Sequence, residues 1–215
     1  MDNSIERVMD RINSLKGLDI DGITLTTPYY FGCSQEALIR FFSAIADQSE
    51  FPIYLYDLPS TTKTKIALET QKKLSTHKNI YGSKCSEDAD YIRKLADYFR
   101  GNEEYKIIEA QFDLFDMFHR IGLKLHLDGF TCLFPQWLKS YWDDLESENW
   151  DKCALWQAKF TELRDEFKKL DMFPAFSYAM NLLGYKGNFA PSHFELVSDD
   201  NKGRINDLMK KFKLI

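Results

Sequence analysis

Helical and strand periodicities alternate along the first 135 residues of this chain, and that rhythm restricts the fold more than any other feature. "SIERVMDRINSLKGL" sets Ile5, Val8, Met9, Ile12 and Leu15 on one helical stripe, and "DGITLTTPYY" follows as a strand ending at Pro28. The helix "SQEALIRFFSAIADQ" leads to the strand "FPIYLYDLPS", and the helix "ALETQKKLSTH" leads to the strand "NIYGSKCS". Ser86 then supplies an N-cap for "EDADYIRKLADYF", whose acidic residues suit the first turn. A strand "YKIIEA", a helix "LFDMFHRIGLK" and a last strand "LDGFTCLF" complete the series. Five strands alternating with helices predict parallel pairing through crossovers, in either a doubly wound sheet or a (β/α) barrel.

From residue 136 onward only helices are expected. In "CALWQAKFTELRDEFKKL", Cys153, Trp156, Phe160, Leu163, Phe167 and Leu170 alternate at spacings of three and four, a helix-packing seam that serves a core or a subunit interface. With 44% hydrophobic and 15% aromatic residues, 215 residues suffice for a sizeable core. The net charge of −5 argues against nucleic acid as the main partner, since phosphate binding needs concentrated Lys and Arg. No apolar run approaches the ~18 residues of a membrane span, and "MDNSIERVMD" has no signal-peptide pattern, so a cytoplasmic protein with no membrane partner is expected. Cys33, Cys85, Cys132 and Cys153 form no CxxC pair, and His77, His119, His126 and His193 are scattered, which predicts no metal site.

Lys84 stands near the end of "NIYGSKCS", and a lysine is a poor strand residue. It is a solvated edge residue, a buried charge, or a reactive amine. Strand alternation puts Tyr54 and Tyr56 on one face of "FPIYLYD" and Gly82 and Lys84 on one face of the next strand. In neighbouring parallel strands, Tyr56 and Lys84 would lie together near the carboxyl ends, where (β/α) barrels keep their active sites. A desolvated amine there is able to form a Schiff base with a ketone, and a tyrosine beside it can relay protons.

The motifs "TTPYYFGCSQEALIRFFSAIADQSEFPIYLYDLPSTT" and "IYGSKCSED" resemble the dihydrodipicolinate synthase and N-acetylneuraminate lyase family of Schiff-base aldolases. That family reads TPYY, a Q-E helix, Y-N-x-P-x-x-T, then G-x-K. The intervals of 26 residues from Tyr30 to Tyr56 and 28 from Tyr56 to Lys84 fit it without a gap. "GLKLHLDGF" and "MFPAFSYAMNLLGY" are similar to its later motifs, so the resemblance covers nearly the whole chain. It implies that Lys84 forms an imine with a 2-keto acid, usually pyruvate. It further implies that Tyr56 donates and accepts the proton of the substrate hydroxyl. Tyr30 matches a tyrosine that, in some members, reaches into the neighbouring subunit's site. The protonated imine is the electron sink, so neither cofactor nor metal is implied. A homo-oligomer, dimer or tetramer, is expected.

Departures from the family pattern shape the rest of the expectation. The first three strand-helix units of the family barrel have no counterpart here, nor does its G-T-T-G-E segment; Thr26 and Thr27 precede the PYY motif on another strand. The expected fold is therefore an α/β chain of (β/α)8 TIM-barrel type, N-terminally truncated to about five parallel strands. Residues 1–135 would form the partial barrel and 136–215 a helical region packing on it. Thr61 stands where family synthases often have an arginine, which disfavours a second carboxylate and favours a sugar-acid-like 2-keto acid. Asp57 replaces the usual asparagine, and Thr131, in the bulky "GFTCLFPQW" stretch, is a second substrate-binding candidate beside Thr61. The expected function is a lyase or aldolase forming a lysine Schiff base with pyruvate or a related 2-keto acid. The alternative is a catalytically impaired truncated barrel acting as an oligomeric or partner-completed scaffold.

Overall fold

Side-chain caps and apolar stripes start the helices of the first half. The computed structural model of the chain describes residues 2–86 and 88–215. Ser4 accepts a hydrogen bond from the Arg7 backbone at the start of α1 (Ile5–Asn13), which buries Val8, Met9 and Ile12. Ser34 does the same for Ala37 in α2 (Gln35–Ala46), burying Leu38, Phe41, Phe42 and Ile45. Each cap is worth about 1 kcal/mol against alanine.

The strands β1 (Ile23–Thr26), β2 (Ile53–Asp57), β3 (Ile80–Cys85), β4 (Lys106–Glu109) and β5 (Leu125–His126) form one parallel sheet in that same order. α1 precedes β1, and between the strands run α2, the short α3 (Pro59–Thr62), α4 (Leu68–Leu74), α5 (Ala89–Tyr98) and α6 (Phe115–Arg120). Strand order that follows chain order, with no reversal, is the arrangement of a barrel wall; a doubly wound sheet would reverse at a switch point. One face carries Leu25, Leu55, Ser83 and Ile107 in a single register row, buried together with the apolar faces of α1, α2, α4 and α5. The opposite face carries Thr24, Thr26, Tyr54, Tyr56, Lys84, Lys106, Ile108 and Leu125, each half-buried or exposed. At Gly82 a Cβ would fall 2.1 Å from the Lys106 carbonyl oxygen, so the β3–β4 approach requires glycine.

Two expectations fail here. "LDGFTCLF" is not a strand: the fifth strand is the two residues Leu125–His126, and Gly129–Leu133 is a 3-10 turn. Asp128 causes the change, its carboxylate accepting from Phe130 N at 2.8 Å and its carbonyl from the Thr131 hydroxyl at 2.5 Å. Nor does Ser86 cap the helix after β3. That helix, α5, begins at Ala89 behind Asp88, which makes no side-chain cap. Glu87, counted among its expected acidic first turn, lies outside the described residues, as does Met1.

The chain divides into two compact units, the sheet unit ending at Leu127 and a helical unit starting at Asp128. The helical unit holds α7 (Pro135–Glu146), α8 (Trp150–Lys168), α9 (Met172–Leu182) and α10 (Asp199–Lys211). Cys153, Phe160, Leu163, Phe167 and Leu170 of the α8 seam are buried, with Phe160 stacked on Phe134 at 5.1 Å. No helix of the described residues is long and apolar enough to cross a membrane.

Candidate active site

Parallel register places Tyr56 directly opposite Lys84 on adjoining strands. Both side chains leave the sheet on the face away from its helices, near the carboxyl ends of β2 and β3. Lys84 Nζ donates to Tyr56 Oη at 2.8 Å and lies 4.0 Å from the centroid of the same ring. Both residues are half-buried. Because the pair rests on two hydrogen-bonded strands rather than on loops, its geometry is fixed by the ladder. The full row reads Thr26, Tyr56, Lys84, Ile108 and Leu125, from β1 to β5.

The remaining candidates fall elsewhere. Tyr30 lies on the loop after β1 with φ of 81°, a left-handed conformation uncommon for a non-glycine residue. Its side chain is 80% exposed and packs edge-on against Phe31, itself 76% exposed. Thr61 is exposed on α3, its backbone N–H donating to Leu58 O. Thr131 belongs to the 3-10 turn of the helical unit. The sheet thus brings Tyr56 and Lys84 together and leaves Tyr30 on the loop after β1 and Thr61 on α3 after β2.

Behind the pair, on the helix-covered face, is a buried polar layer. Asp57 Oδ1 accepts from Ile66 N at 3.0 Å. Gln71 donates to Tyr91 Oη at 3.0 Å and to Cys85 Sγ at 3.7 Å, and accepts from Tyr105 Oη at 3.2 Å. Burial away from water pushes the Cys85 thiol up to about 12 and raises both tyrosines well above their ordinary range. These groups stay neutral and serve as structural hydrogen-bonding partners. Gln35, the glutamine of the "SQE" stretch, pins the loop after α3: it donates to Lys65 O at 2.9 Å and accepts from Ala67 N at 2.9 Å and Thr70 Oγ1 at 2.7 Å. The hydroxyl of Thr27 bonds that of Thr62 at 2.7 Å, tying the end of β1 to α3.

Two of the histidines that look scattered in the sequence meet in space. His126 Nδ1 is 2.5 Å from Glu109 Oε1, His126 Nε2 is 3.4 Å from His119 Nδ1, and His119 Nε2 is 2.5 Å from Lys124 Nζ. An ammonium only donates and a carboxylate only accepts, so the chain runs one way, from Lys124 through the two imidazoles to Glu109. Each ring then carries its proton on Nδ1. The chain ties α6 and the edge strand β5 to β4. Neither it nor the Gln35 contacts show in the primary spacing, because both depend on which strands adjoin; the pairing of Thr26 with Tyr56 likewise needs the parallel register.

Comparison with known proteins identifies the family and the fold. The profile of the dihydrodipicolinate synthetase family matches residues 3–211. The 4-hydroxy-tetrahydrodipicolinate synthase of Geotalea daltonii is 26% identical over 216 residues, spanning 99% of this chain and 73% of that protein. A crystal structure of dihydrodipicolinate synthase from Thermotoga maritima superposes with a TM-score of 0.86 at 20% identity, over 99% of this chain and 73% of that one. N-acetylneuraminate lyase from Mycoplasma synoviae gives 0.85 at 17% identity, over 98% and 71%. The chain belongs to the dihydrodipicolinate synthetase family, and its sheet unit has the architecture of a TIM-type barrel wall.

Proposed function

We propose that this member of the dihydrodipicolinate synthetase family is a class I lyase that cleaves or forms a carbon–carbon bond in a 2-keto acid through an imine on Lys84. The observation that carries the proposal is the 2.8 Å hydrogen bond between the Lys84 amine and the Tyr56 phenol on adjoining strand ends. Lys84, as the neutral amine, adds to the C2 carbonyl of a 4-hydroxy-2-keto acid. The carbinolamine loses its hydroxyl as water with a proton from Tyr56, leaving a protonated imine and a phenolate. That phenolate takes the C4 hydroxyl proton as the C3–C4 bond breaks. The bonding pair flows into the imine, giving an enamine and a free aldehyde. Tyr56 returns its proton to C3, and water releases pyruvate and the Lys84 amine.

A hydroxylated, sugar-acid-like substrate is favoured, because Thr61 and not an arginine follows the Tyr56 strand. We assign the protein to homo-oligomers as well, on the strength of the exposed Tyr30–Phe31 tip on the loop after β1. The test is pyruvate release from 2-keto-3-deoxygluconate and from N-acetylneuraminate, measured by coupled lactate dehydrogenase. Wild type is expected to turn over at least one of them, and Lys84→Ala neither. A folded wild-type protein that cleaves neither and gives no pyruvate adduct supports the non-catalytic scaffold instead.

A further inference from the structure

We infer that the outer edge of β1 and the groove beside it form a docking surface for a second polypeptide, one of three strand–helix units that continues the sheet and closes the wall. The inference does not depend on the imine reading of Lys84.

Among the described residues β1 pairs with β2 alone, so its other edge adjoins no strand. Ile23 N donates to Pro52 O at 2.9 Å, which turns the backbone of Ile23 and Leu25 toward β2. Alternation then turns the N–H and C=O of Thr24 away from β2, and Thr24 is exposed. Edges left to solvent are blunted by lysine, proline or a bulge, and Ile23–Thr26 contains none of these. Beside this edge lies a groove of about 400 Å³, walled by Val8 and Ile12 of α1, Leu15 just after it, and Ile23 and Leu25 of β1. A strand laid along β1 alternates its side chains between this apolar groove and the face that carries Tyr56. The occupant is thus an extended segment with an apolar residue at every second position.

The width of the gap fixes how much chain the partner supplies. The Thermotoga maritima synthase superposes on 99% of this chain with a TM-score of 0.86, so the five strands hold the curvature of a TIM-type wall. Such a wall closes at eight strands, and five leave room for three. A second copy of this sheet brings five, more than the gap holds, and both walls would have to flatten to admit it. The superposition covers 73% of the synthase, and the part of it without a counterpart is in keeping with three units of a wall of eight. Parallel strands need crossovers, which helices serve, so each added strand carries its own helix. At the far side of the gap Leu125 in β5 and Leu127 just after it are exposed, and they offer apolar surface to the last of the three.

The experiment co-expresses the full chain with the first three strand–helix units of the Geotalea daltonii synthase and, separately, of the Thermotoga maritima synthase, each as an independent fragment. Complexes are sized by light scattering and intact mass, and amide exchange in β1 is followed for the chain alone and in the complex. At least one fragment is expected to bind at one per chain and to slow exchange of the Thr24 amide by about tenfold or more. Thr24→Pro removes the outward N–H and leaves the β1–β2 bonds in place, so it is expected to weaken the complex about tenfold. Thr24→Val, which keeps that N–H, is expected to bind within about threefold of wild type. Folded chain that binds neither fragment, or that binds one equally well as Thr24→Pro, overturns the proposal. A Thr24 amide already protected in the chain alone overturns it too, because another copy then covers the edge.

Discussion

Replacing Tyr56 by phenylalanine separates the two halves of the proposed chemistry. The substitution removes one oxygen, the atom that accepts from Lys84 Nζ at 2.8 Å, and leaves the ring on which the amine rests. A single hydrogen bond between half-buried groups contributes about 1 kcal/mol at most to folding, so the variant should unfold within that margin of wild type. Catalysis is a different matter. A positioned acid–base group contributes about 10²- to 10⁴-fold, which at the scale of tenfold per 1.36 kcal/mol is about 3 to 5 kcal/mol of barrier. Tyr56→Phe is therefore expected to release pyruvate from 2-keto-3-deoxygluconate at a rate reduced by at least about a hundredfold. Lys84 keeps its amine in the variant, so trapping after long incubation with pyruvate should still label it. The assay pairs initial rates of pyruvate release with intact mass after borohydride reduction. A variant that cleaves substrate within about threefold of wild type would refute the role of Tyr56, because proton transfer in the bond-breaking step would then need another group.

Further consequences concern the scaffold that holds the pair. Gly82→Ala drives a Cβ to 2.1 Å from the Lys106 carbonyl, and separating β3 from β4 there is expected to cost about 3 kcal/mol, read as a lowered urea midpoint; an unchanged midpoint would show that the strands yield freely. Cys85 has its folded-state value raised from 9.0 to about 12 by burial, so stability is complete below 9.0 and falls as pH climbs from 9.0 toward 12, by order 4 kcal/mol for a shift of that size. Cys85→Ala should flatten that loss relative to wild type, and equal slopes for the two proteins would contradict it. His126→Ala withdraws the imidazole from the fully buried Glu109 carboxylate and is expected to destabilise by about 3 kcal/mol in urea; a change below about 0.5 kcal/mol would mean that the chain to Lys124 contributes little.

Long periodic elements were plain in the sequence, and the short ones were not. The stripes of α1 and α2 and the alternation in "FPIYLYD" carry their own burial pattern, and the structure buries Val8, Ile12, Phe42, Leu55 and Phe160 accordingly. The fifth strand escaped because two residues at a sheet edge have no period, while the apolar run after them invited a strand reading. Asp128-Gly129 held the contrary signal: an aspartate whose carboxylate reaches a backbone N–H two residues on begins a turn, not a strand. In the site, Lys84 and Tyr56 could be paired from strand alternation alone. Thr26, Gln35 and the His119–His126 contact required register and packing, since their partners lie 30, 32 or 7 residues away across separate elements.

Covalent trapping of Lys84 tests the central claim most directly. The protein is incubated with pyruvate, reduced with borohydride, weighed intact and mapped by peptide mass. A stable adduct confined to Lys84, and absent from Lys84→Ala, is the predicted result. Folded protein that gains no mass, or that carries the adduct on another lysine, would contradict the account.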